Sequence, residues 1–347
     1  MKIVIDVKYE ESFTATSKAR EDVNDILKKI GYQVKFIDVK KIESKKNIIS
    51  NINNGYKQLK EILSKVPSNS TIVFQYPFDW MNYKYSKIIK KYSNRYNIKT
   101  VVLIHDLNSI RTSSMFGKLY YEKMVKEFKF LNNFDKIICH NTRMKTYLLN
   151  KKINEEKIIV LKLFDYLIDN NKKTNNGEYK KVIIAGNLSK NKAGYVYNLK
   201  DLKNTNYRFE LYGVNYEGAS SNNIEYKGKF QSDKPQEFLK SGFGLVWDGP
   251  NCNSCEGNYG NYLMWNNPHK LSLYISCGLP VIVWKKSALS DFVEQNKIGV
   301  SVNNLDELDE IFKNLTESEY KKYLSNVSKI QKKVVDGKFL LEAIKKI

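Results

Sequence analysis

Short apolar strands alternate with amphipathic helices along almost the whole chain, and this alternation limits the fold more than any other feature. In the first half, the strands are predicted at "KIVIDV", "YQVKFIDV", "STIVFQYP", "IKTVVLIHD" and "FDKIICHN". They are apolar throughout rather than on alternate residues, which is typical of a parallel sheet covered by helices on both faces. The pattern therefore predicts an α/β fold with a Rossmann-like first domain.

A second series of the same kind begins at "KKVIIAGNLSK" and continues through "YRFELYGV", "IEYKGKFQ", a predicted helix "PQEFLKSG" and the strand "FGLVWDG". Between the two series the apolar periodicity lapses into Asn, Lys and Gly, as in an exposed connector. A chain of 347 residues suits two domains. We predict domains at 1–165 and 181–316, a linker at 166–180, and C-terminal helices at 317–347.

The chain is strongly basic, with 58 Lys and Arg against 37 Asp and Glu and a formal net charge of +21. Such an excess favours anionic partners. The lysines are spread over most predicted helix faces rather than gathered in one stripe, so nucleic acid is not expected as a partner. We expect instead a weaker preference for phosphate groups and for anionic membrane, with peripheral contact at the inner face.

No apolar run approaches the roughly 20 residues that a membrane-spanning helix needs, and "MKIVIDVKYEES" has acids where a signal peptide has its apolar core. We therefore expect a cytoplasmic protein. Its four cysteines fit a reducing compartment without disulfides. Cys252 and Cys255 form a C-x-x-C that could be combined with His269 and Cys277 into a zinc site, but a structural site normally supplies two tight pairs. No metal and no other cofactor is expected.

The stretch "NNPHKLSLYISCGLPVIVW" (266–284) places Asn-Pro-His-Lys directly before an apolar helix. Ligands of an open parallel sheet bind at the carboxyl ends of its strands. Pro268 suits a first helical turn, whose free amides and positive helix end favour a diphosphate, and Lys270 adds a full charge. The helix should end at Gly278, before Pro280 and a buried strand, although this order is also ordinary in purely structural helices.

Several of these segments together resemble a known class of enzyme. "GLVWDG" and the helix that ends in Gly-Leu-Pro-Val-Ile look like the nucleotide-sugar half of two-domain GT-B glycosyltransferases. More narrowly, "NYLMWNNPHKLSLYISCGLPVI", "FQYPFDW", "VVLIHD" and "KLFDY" resemble the bacterial glucosyltransferase 3 family. That family extends the sugar on serine-rich-repeat adhesins and is close to the β-1,6-galactofuranosyltransferases of surface polysaccharide. The likeness follows the chain in order over nearly its whole length.

The resemblance implies a GT-B fold, with two Rossmann-like domains facing across a cleft. The first would bind the acceptor, the second would bind the nucleotide of a UDP-sugar, and the C-terminal helices would pack back towards the first. The implied activity moves glucose or N-acetylglucosamine from a UDP-sugar to a glycoprotein that carries N-acetylglucosamine. The alternative is a galactofuranosyltransferase that uses UDP-galactofuranose in the synthesis of surface polysaccharide (O-antigen or capsule), with either a glycoprotein or a lipid-linked glycan as the acceptor. The resemblance also implies a homotetramer.

Matching positions in the second domain give the binding residues that the resemblance implies. A Gly after a strand lets backbone amides approach a phosphate, and a lysine there is a phosphate partner. Tyr212 would flank the uracil, and His269 would make a turn or sugar contact. The residues implied near the diphosphate and ribose are Gly186, Asn187, Lys190, Asn267, Lys270 and Ser272.

In the first domain, Thr16 matches a loop of the family and would either reach the transferred sugar or cap the next helix. His105 and Asp106 end the strand "VVLIHD", where a catalytic base would have to lie. Asp106 is the preferred acceptor-side carboxylate. His140, in "ICHN", is predicted only to close a strand. Leu273 stands where many retaining GT-B enzymes carry a ribose-binding Glu, which leaves the stereochemistry of transfer open.

Two other classes of function use folds of this kind. One is a non-catalytic partner or chaperone that keeps the fold, against which the intact "NNPHK", "AGNLSK" and "HD" argue. The other is a Rossmann oxidoreductase or nucleotide enzyme. Against this class, no G-x-G-x-x-G follows the first strand and no P-loop occurs in the sequence. The absence of an Asp-x-Asp metal motif predicts that positive side chains stabilise the leaving diphosphate.

Overall fold

A computed structural model describes residues 1–9, 15–39, 45–78, 83–111, 126–168, 178–203 and 206–347. The chain divides into two units. The first consists of Met1–Lys162 with Leu340–Ile347, and the second of Leu163–Phe339. Each unit has its own six-stranded sheet, which confirms the α/β fold predicted from the alternation.

The first unit is a parallel sheet with the strand order β2-β1-β3-β4-β5-β6. Its strands are β1 (Lys2–Tyr9), β2 (Gln33–Val39), β3 (Thr71–Tyr76), β4 (Lys99–Ile104), β5 (Lys136–Cys139) and β6 (Ile158–Val160). Within the described ranges its helices are α1 (Ala15–Lys29), α2 (Lys45–Ser64), α3 (Tyr83–Tyr96), α4 (Asn108–Arg111), α5 (Glu127–Leu131) and α6 (Thr142–Asn150). Val4, Phe74 and Val102 are fully buried in the central strands, as expected of a sheet covered on both faces.

The second unit is also a parallel sheet, with the order β12-β11-β10-β7-β8-β9. Its strands are β7 (Lys181–Asn187), β8 (Arg208–Val214), β9 (Ile224–Tyr226), β10 (Phe243–Val246), β11 (Val281–Trp284) and β12 (Gly299–Val302). The helices are α7 (Lys190–Ala193), α8 (Gly257–Tyr262), α9 (His269–Ser276), α10 (Ser290–Gln295), α11 (Glu307–Asn314), α12 (Glu317–Val335) and α13 (Lys338–Ile344), whose last turns belong to the first unit.

The helix predicted after Pro268 is confirmed as α9, and Gly278 follows it with a φ of +77°. The helix predicted at "PQEFLKSG" is wrong in extent, because only Pro235–Glu237 forms a 3₁₀ turn. Leu239 is buried and Gly242, at a φ of +90°, already directs the chain into β10, so the segment has room for one turn only. None of the helices in the described ranges is long and apolar enough to cross a membrane.

The strand order of the second sheet fixes where a ligand is most easily bound. From β7 the chain proceeds through β8 to β9 on one side, and β10 then returns to pair with β7 on its other side. The loops that leave the carboxyl ends of β7 and β10 therefore run in opposite directions. In open α/β sheets such a reversal leaves a crevice in which ligands bind.

Candidate functional site

Gly186, Asp248 and Lys270 lie together at this reversal of the second sheet. Gly186 is near the carboxyl end of β7, Asp248 follows β10, and Lys270 is in the first turn of α9. Lys270 Nζ donates to Asp248 Oδ1 at 2.7 Å and to the Trp247 carbonyl at 3.2 Å. A Cβ on Gly186 would lie 3.5 Å from Lys270 Cε. The lysine stem therefore packs against the glycine turn.

The Lys270 ammonium is largely shielded from water but keeps capacity for another ligand. The Lys270 and Asp248 side chains are 13% and 9% exposed. An ammonium group has three N–H donors, and within the described part of the chain Asp248 and Trp247 engage two of them. Charge-assisted hydrogen bonds to phosphate are among the strong ones, so the third donor suits an anionic oxygen.

The glycine turn itself is shaped by a close approach of β7 and β8. Gly186 pairs with Gly213 in the parallel register, and a Cβ on Gly213 would lie only 1.7 Å from the Gly186 carbonyl oxygen. Asn187 Oδ1 accepts hydrogen bonds from the Ser189 amide at 3.0 Å and from Asn215 Nδ2 at 3.1 Å. The turn is thus a defined backbone structure with exposed Gly186 and Asn187, which an anion can approach closely.

Lys190 and Tyr212, also predicted as binding residues, contact other side chains. The Lys190 ammonium is exposed, lies 3.2 Å from the Glu217 carboxylate and is 5.5 Å from the centre of the Tyr197 ring. Tyr212 is buried and donates its hydroxyl proton to Glu210 at 3.1 Å. The structure therefore brings Gly186 and Lys270 together, whereas the roles of Lys190 and Tyr212 stay predictions.

Three predicted residues lie around the start of α9, where Asn267 and Ser272 are buried and His269 is partly buried. Ser272 is fully buried and donates to the Phe164 carbonyl at 2.6 Å. The His269 ring centre lies 4.8 Å from that of Tyr166, and Asn267 is 3% exposed. These contacts attach the segment that follows β6 to α9. The predicted contacts of the three residues with ribose, sugar or phosphate stay predictions.

In the first unit, His105 and Asp106 directly follow β4, as predicted from the sequence. His105 Nε2 lies 2.7 Å from Gln75 Oε1. Asp106 pairs with Arg111 from α4, and the two side chains are 17% and 29% exposed. Thr16 lies in the first turn of α1, but its side chain is outside the part of the chain that the structure describes. His105 and Asp106 are therefore both held by polar partners at the end of a central strand.

A buried carboxylate, Glu127, organises the segment that carries Asp106. Glu127 accepts the amides of Asn108 and Ser109 at 3.0 Å each, the Ser109 hydroxyl, and the Tyr76 hydroxyl at 2.7 Å. The Glu127 carboxylate thus accepts from the first amides of α4, which have no partner within the helix. Burial raises the pKa of Glu127 against the lowering effect of these hydrogen bonds. The residue fixes the start of α4 and so the position of Arg111.

His140 closes β5 and is fully buried, as its predicted structural role requires. Its Nε2 donates to the Ile104 carbonyl at 3.0 Å. Burial lowers the pKa of His140 to about 4, with Asp106 and nearby carbonyl groups opposing that change. At neutral pH the ring is therefore uncharged, and it fixes the end of β4 from which His105 and Asp106 project.

We expect this histidine to make the first unit sensitive to acid. Because its pKa in the fold is depressed to about 4, its contribution to stability is complete above the ordinary value of about 6.5 and is lost as pH falls towards 4. The loss should reach about 3 kcal/mol, at 1.36 kcal/mol per pH unit. Hydrogen exchange of the β4 and β5 amides would measure it, and His140→Gln should flatten the pH dependence. An unchanged slope in that variant would show that other groups cause the acid sensitivity.

The cysteines give no sign of a metal centre. All four are free, and Cys252 and Cys255 are buried. Burial raises the pKa of Cys252 to about 12, and burial raises that of Cys255 well above its ordinary value. Among the described residues, no group of three or more His, Cys, Asp or Glu side chains is placed to hold a metal ion. The absence of a metal stays a prediction.

Three polar residues that hold the predicted site residues or the segments next to them were not singled out from the sequence. Asp248 follows an apolar strand in "GLVWDG", and an acid at the carboxyl end of a strand was the available signal. Gln75 lies inside the apolar strand "STIVFQYP", where a polar residue at a buried position signals a hydrogen-bonded role. Glu127 gave no such signal, because it lies in a charged helical segment.

Models of known families match both halves of the chain. The model described as glucosyltransferase 3-like, N-terminal domain, matches residues 1–163, and the corresponding C-terminal domain model matches residues 182–347. This chain belongs to the glucosyltransferase 3-like family of glycosyltransferases. Glucosyltransferase 3 of Streptococcus gordonii is 24% identical over 100% of this chain and 99% of its own. A beta-1,6-galactofuranosyltransferase of Escherichia coli is 31% identical over 95% of this chain and 93% of its own.

Solved structures agree with the fold of this glucosyltransferase 3-like chain. An Anabaena protein in complex with UDP superposes with a TM-score of 0.62 at 13% identity, with all of both chains covered. A trehalose-phosphate synthase from Burkholderia vietnamiensis also reaches 0.62, at 8% identity over 99% of this chain and 100% of its own. The two parallel sheets and these neighbours confirm the predicted two-domain GT-B fold.

Proposed function

We propose that this glycosyltransferase uses a UDP-hexose as donor and binds its diphosphate at Gly186 and Lys270. The observation that carries the proposal is the shielded Lys270 ammonium, held by Asp248 against the glycine turn with one N–H donor to spare. The family establishes glycosyl transfer, and the site is at the strand reversal where an open sheet binds ligands. The Anabaena neighbour that was crystallised with UDP supports the choice of nucleotide.

In this mechanism the leaving UDP is stabilised by fixed charge and dipoles. As the bond from the anomeric carbon to the phosphate oxygen breaks, negative charge grows on the diphosphate, and a positioned cation in a shielded site lowers the barrier. Lys270 supplies that cation, and the amides of the first turn of α9 add the positive end of the helix dipole. The acceptor hydroxyl loses its proton to a base of the first unit, for which Asp106 and His105 are the candidates.

Three UDP-hexoses are candidate donors, and two kinds of molecule are candidate acceptors. The family supports glucose or N-acetylglucosamine added to a glycoprotein that carries N-acetylglucosamine. The identity of 31% to the Escherichia coli galactofuranosyltransferase favours galactofuranose as a second candidate for the transferred sugar, with a lipid-linked glycan as the second candidate acceptor. A screen of UDP-glucose, UDP-N-acetylglucosamine and UDP-galactofuranose against both kinds of acceptor, with released UDP as readout, separates them. UDP binding without release from any pair would instead support a non-catalytic partner.

We expect transfer to continue when divalent metal is removed. If the Lys270 ammonium and the α9 amides carry the diphosphate charge, no cation has to bridge it. UDP release in excess EDTA should therefore equal that in buffer, and added Mg²⁺ or Mn²⁺ should change it less than twofold. A loss of activity in EDTA that is restored by Mn²⁺ would contradict the assignment of leaving-group stabilisation to Lys270.

A further inference from the structure

A chain of buried polar side chains in the first unit leads from β1 to His105. Asn24 Nδ2 donates to Asp6 Oδ2 at 2.8 Å, and Gln75 Nε2 donates to Asn24 Oδ1 at 2.8 Å. Gln75 Oε1 lies 2.7 Å from His105 Nε2. Asp6, Asn24 and Gln75 are 3%, 4% and 0% exposed. Three polar residues placed so deeply and joined in series indicate a specific role, because each polar group buried without a partner is costly.

The direction of every hydrogen bond in this series follows from its first member. Arg20 donates to Asp6 Oδ1 at 2.6 Å, and both side chains are almost fully buried. A carboxylate paired with a guanidinium accepts hydrogen bonds only, so the amide group of Asn24 that faces Asp6 is its NH₂. The Asn24 oxygen therefore faces Gln75.

Two separate acceptors fix the orientation of the Gln75 amide. Its nitrogen meets the Asn24 oxygen and also the Arg20 main-chain carbonyl, at 3.2 Å. A main-chain carbonyl can only accept, so the NH₂ group must point to that side whatever the state of Asn24. The Gln75 oxygen then faces the imidazole, and His105 Nε2 must carry a hydrogen.

We propose that Gln75 is a positioning residue that fixes His105 as its Nε2–H tautomer, with Asp6, Arg20 and Asn24 holding the Gln75 amide. In the neutral ring this leaves Nδ1 as the basic nitrogen. The consequence for catalysis rests on the proposed function, in which His105 is a candidate base for the acceptor hydroxyl. A base whose tautomer is set before substrate binds does not have to exchange protons between its two nitrogens first.

Nitrogen NMR tests the tautomer directly, because the chain has only three histidines. Protein labelled with ¹⁵N-histidine should show three ring systems, and His105→Gln identifies the one that belongs to His105. At a pH well above the ordinary imidazole value of about 6.5, we expect the His105 ring to carry its proton on Nε2. A proton on Nδ1, or two tautomers in equal amounts, would overturn the proposal, and this measurement on the unaltered chain needs no variant that has to fold.

Gln75→Leu tests whether Gln75 is the cause. We expect the His105 signals of this variant to move towards the average of the two tautomers, while those of His140 and His269 stay in place. Gln58→Leu is the matched control, since Gln58 also uses both ends of its amide, in bonds to the Asp38 main chain at 3.0 and 3.3 Å. If His105 keeps a pure Nε2–H tautomer in Gln75→Leu, the positioning role is wrong.

Kinetics distinguish this inference from the proposed function. If His105 is the base, Gln75→Leu should lower kcat about tenfold to a hundredfold, less than the roughly 10²- to 10⁴-fold that a whole general base contributes because the imidazole itself remains, and leave the KM for donor unchanged. A shifted tautomer with unaltered kcat would support the role of Gln75 and remove His105 as the base. Unaltered kcat in His105→Gln would independently remove His105 as the base. If Gln75→Leu loses kcat while the His105 tautomer is unchanged, the positioning role of Gln75 is overturned, but His105 remains a candidate base.

Discussion

Lys270→Met should lower the turnover of UDP-sugar about 10²- to 10³-fold, the largest effect on activity that we expect from one substitution. Loss of one electrostatic donor to the charge that grows in a transition state costs about 2.7 to 4 kcal/mol. The substitution keeps a long apolar side chain against Gly186, where the lysine stem now lies. Release of UDP, followed at saturating donor, measures the effect. Turnover at the parental rate would show that Lys270 is not the diphosphate ligand.

Two controls separate lost chemistry from lost stability in this experiment. Lys270→Met leaves Asp248 as a buried carboxylate without its ammonium partner, which destabilises the fold. Adding Asp248→Asn should restore stability and leave turnover low. Lys181, at the amino end of β7, is another buried lysine and pairs with Glu210 of β8 at 3.2 Å. Lys181→Met should leave kcat near the parental value. If Lys181→Met lowers kcat as much as Lys270→Met, the effect is one of general stability.

Gly213→Ala should destabilise the second unit by about 2 to 6 kcal/mol, the largest effect on stability that we expect. The residue has a φ of +150°, and a Cβ would lie 1.7 Å from the Gly186 carbonyl oxygen. Backbone strain costs about 1 to 3 kcal/mol and overpacking about as much again. Hydrogen exchange of β7 and β8 amides measures the loss. Because Gly186 must shift, calorimetry should also show weaker UDP binding if the diphosphate site is placed correctly.

Gly228→Ala is the matched control for this variant. Gly228 also has a positive φ, +81°, but a Cβ there would meet no atom within 4 Å. It should therefore show backbone strain alone, about 1 to 3 kcal/mol, and retain UDP affinity. Equal destabilisation by the two substitutions would mean that the strands separate easily and that the contact between Gly186 and Gly213 has little importance.

The fold could be predicted from the sequence because it depends on patterns that are local. Strands such as β10 and β11 are apolar throughout, and Pro268 and Gly278 mark the two ends of α9 in the sequence. The segment at Pro235–Glu237 was less predictable. Its helical spacing is real, but the distance left before β10 was set by the tertiary structure.

The candidate site was only partly predictable, because its contacts join residues far apart in the chain. Gly186 and Lys270 could be placed by their positions after a strand and at a helix start, and the structure shows them in contact. That Asp248 holds Lys270 depends on the packing of α9 against β10, where Gly244 lies against the Tyr274 ring. In the same way, the link between Gln75 and His105 needs the register of β3 with β4. Periodicity shows which residues are buried, but not which polar groups meet.

The first unit is discontinuous, since Leu340–Ile347 belong to it while Leu163–Phe339 form the second. Lys99, at the start of β4, donates to the Ile347 carbonyl at 2.8 Å. Domains generally fold in order as they leave the ribosome. Here the first unit cannot be completed in that order, because part of it lies at the end of the chain. Its sheet can form early, yet its last helical segment is translated only after the whole of the second unit. No single cut in the gene can therefore yield both units complete, and separate expression of the first would require Leu340–Ile347 to be joined to it by an engineered connection.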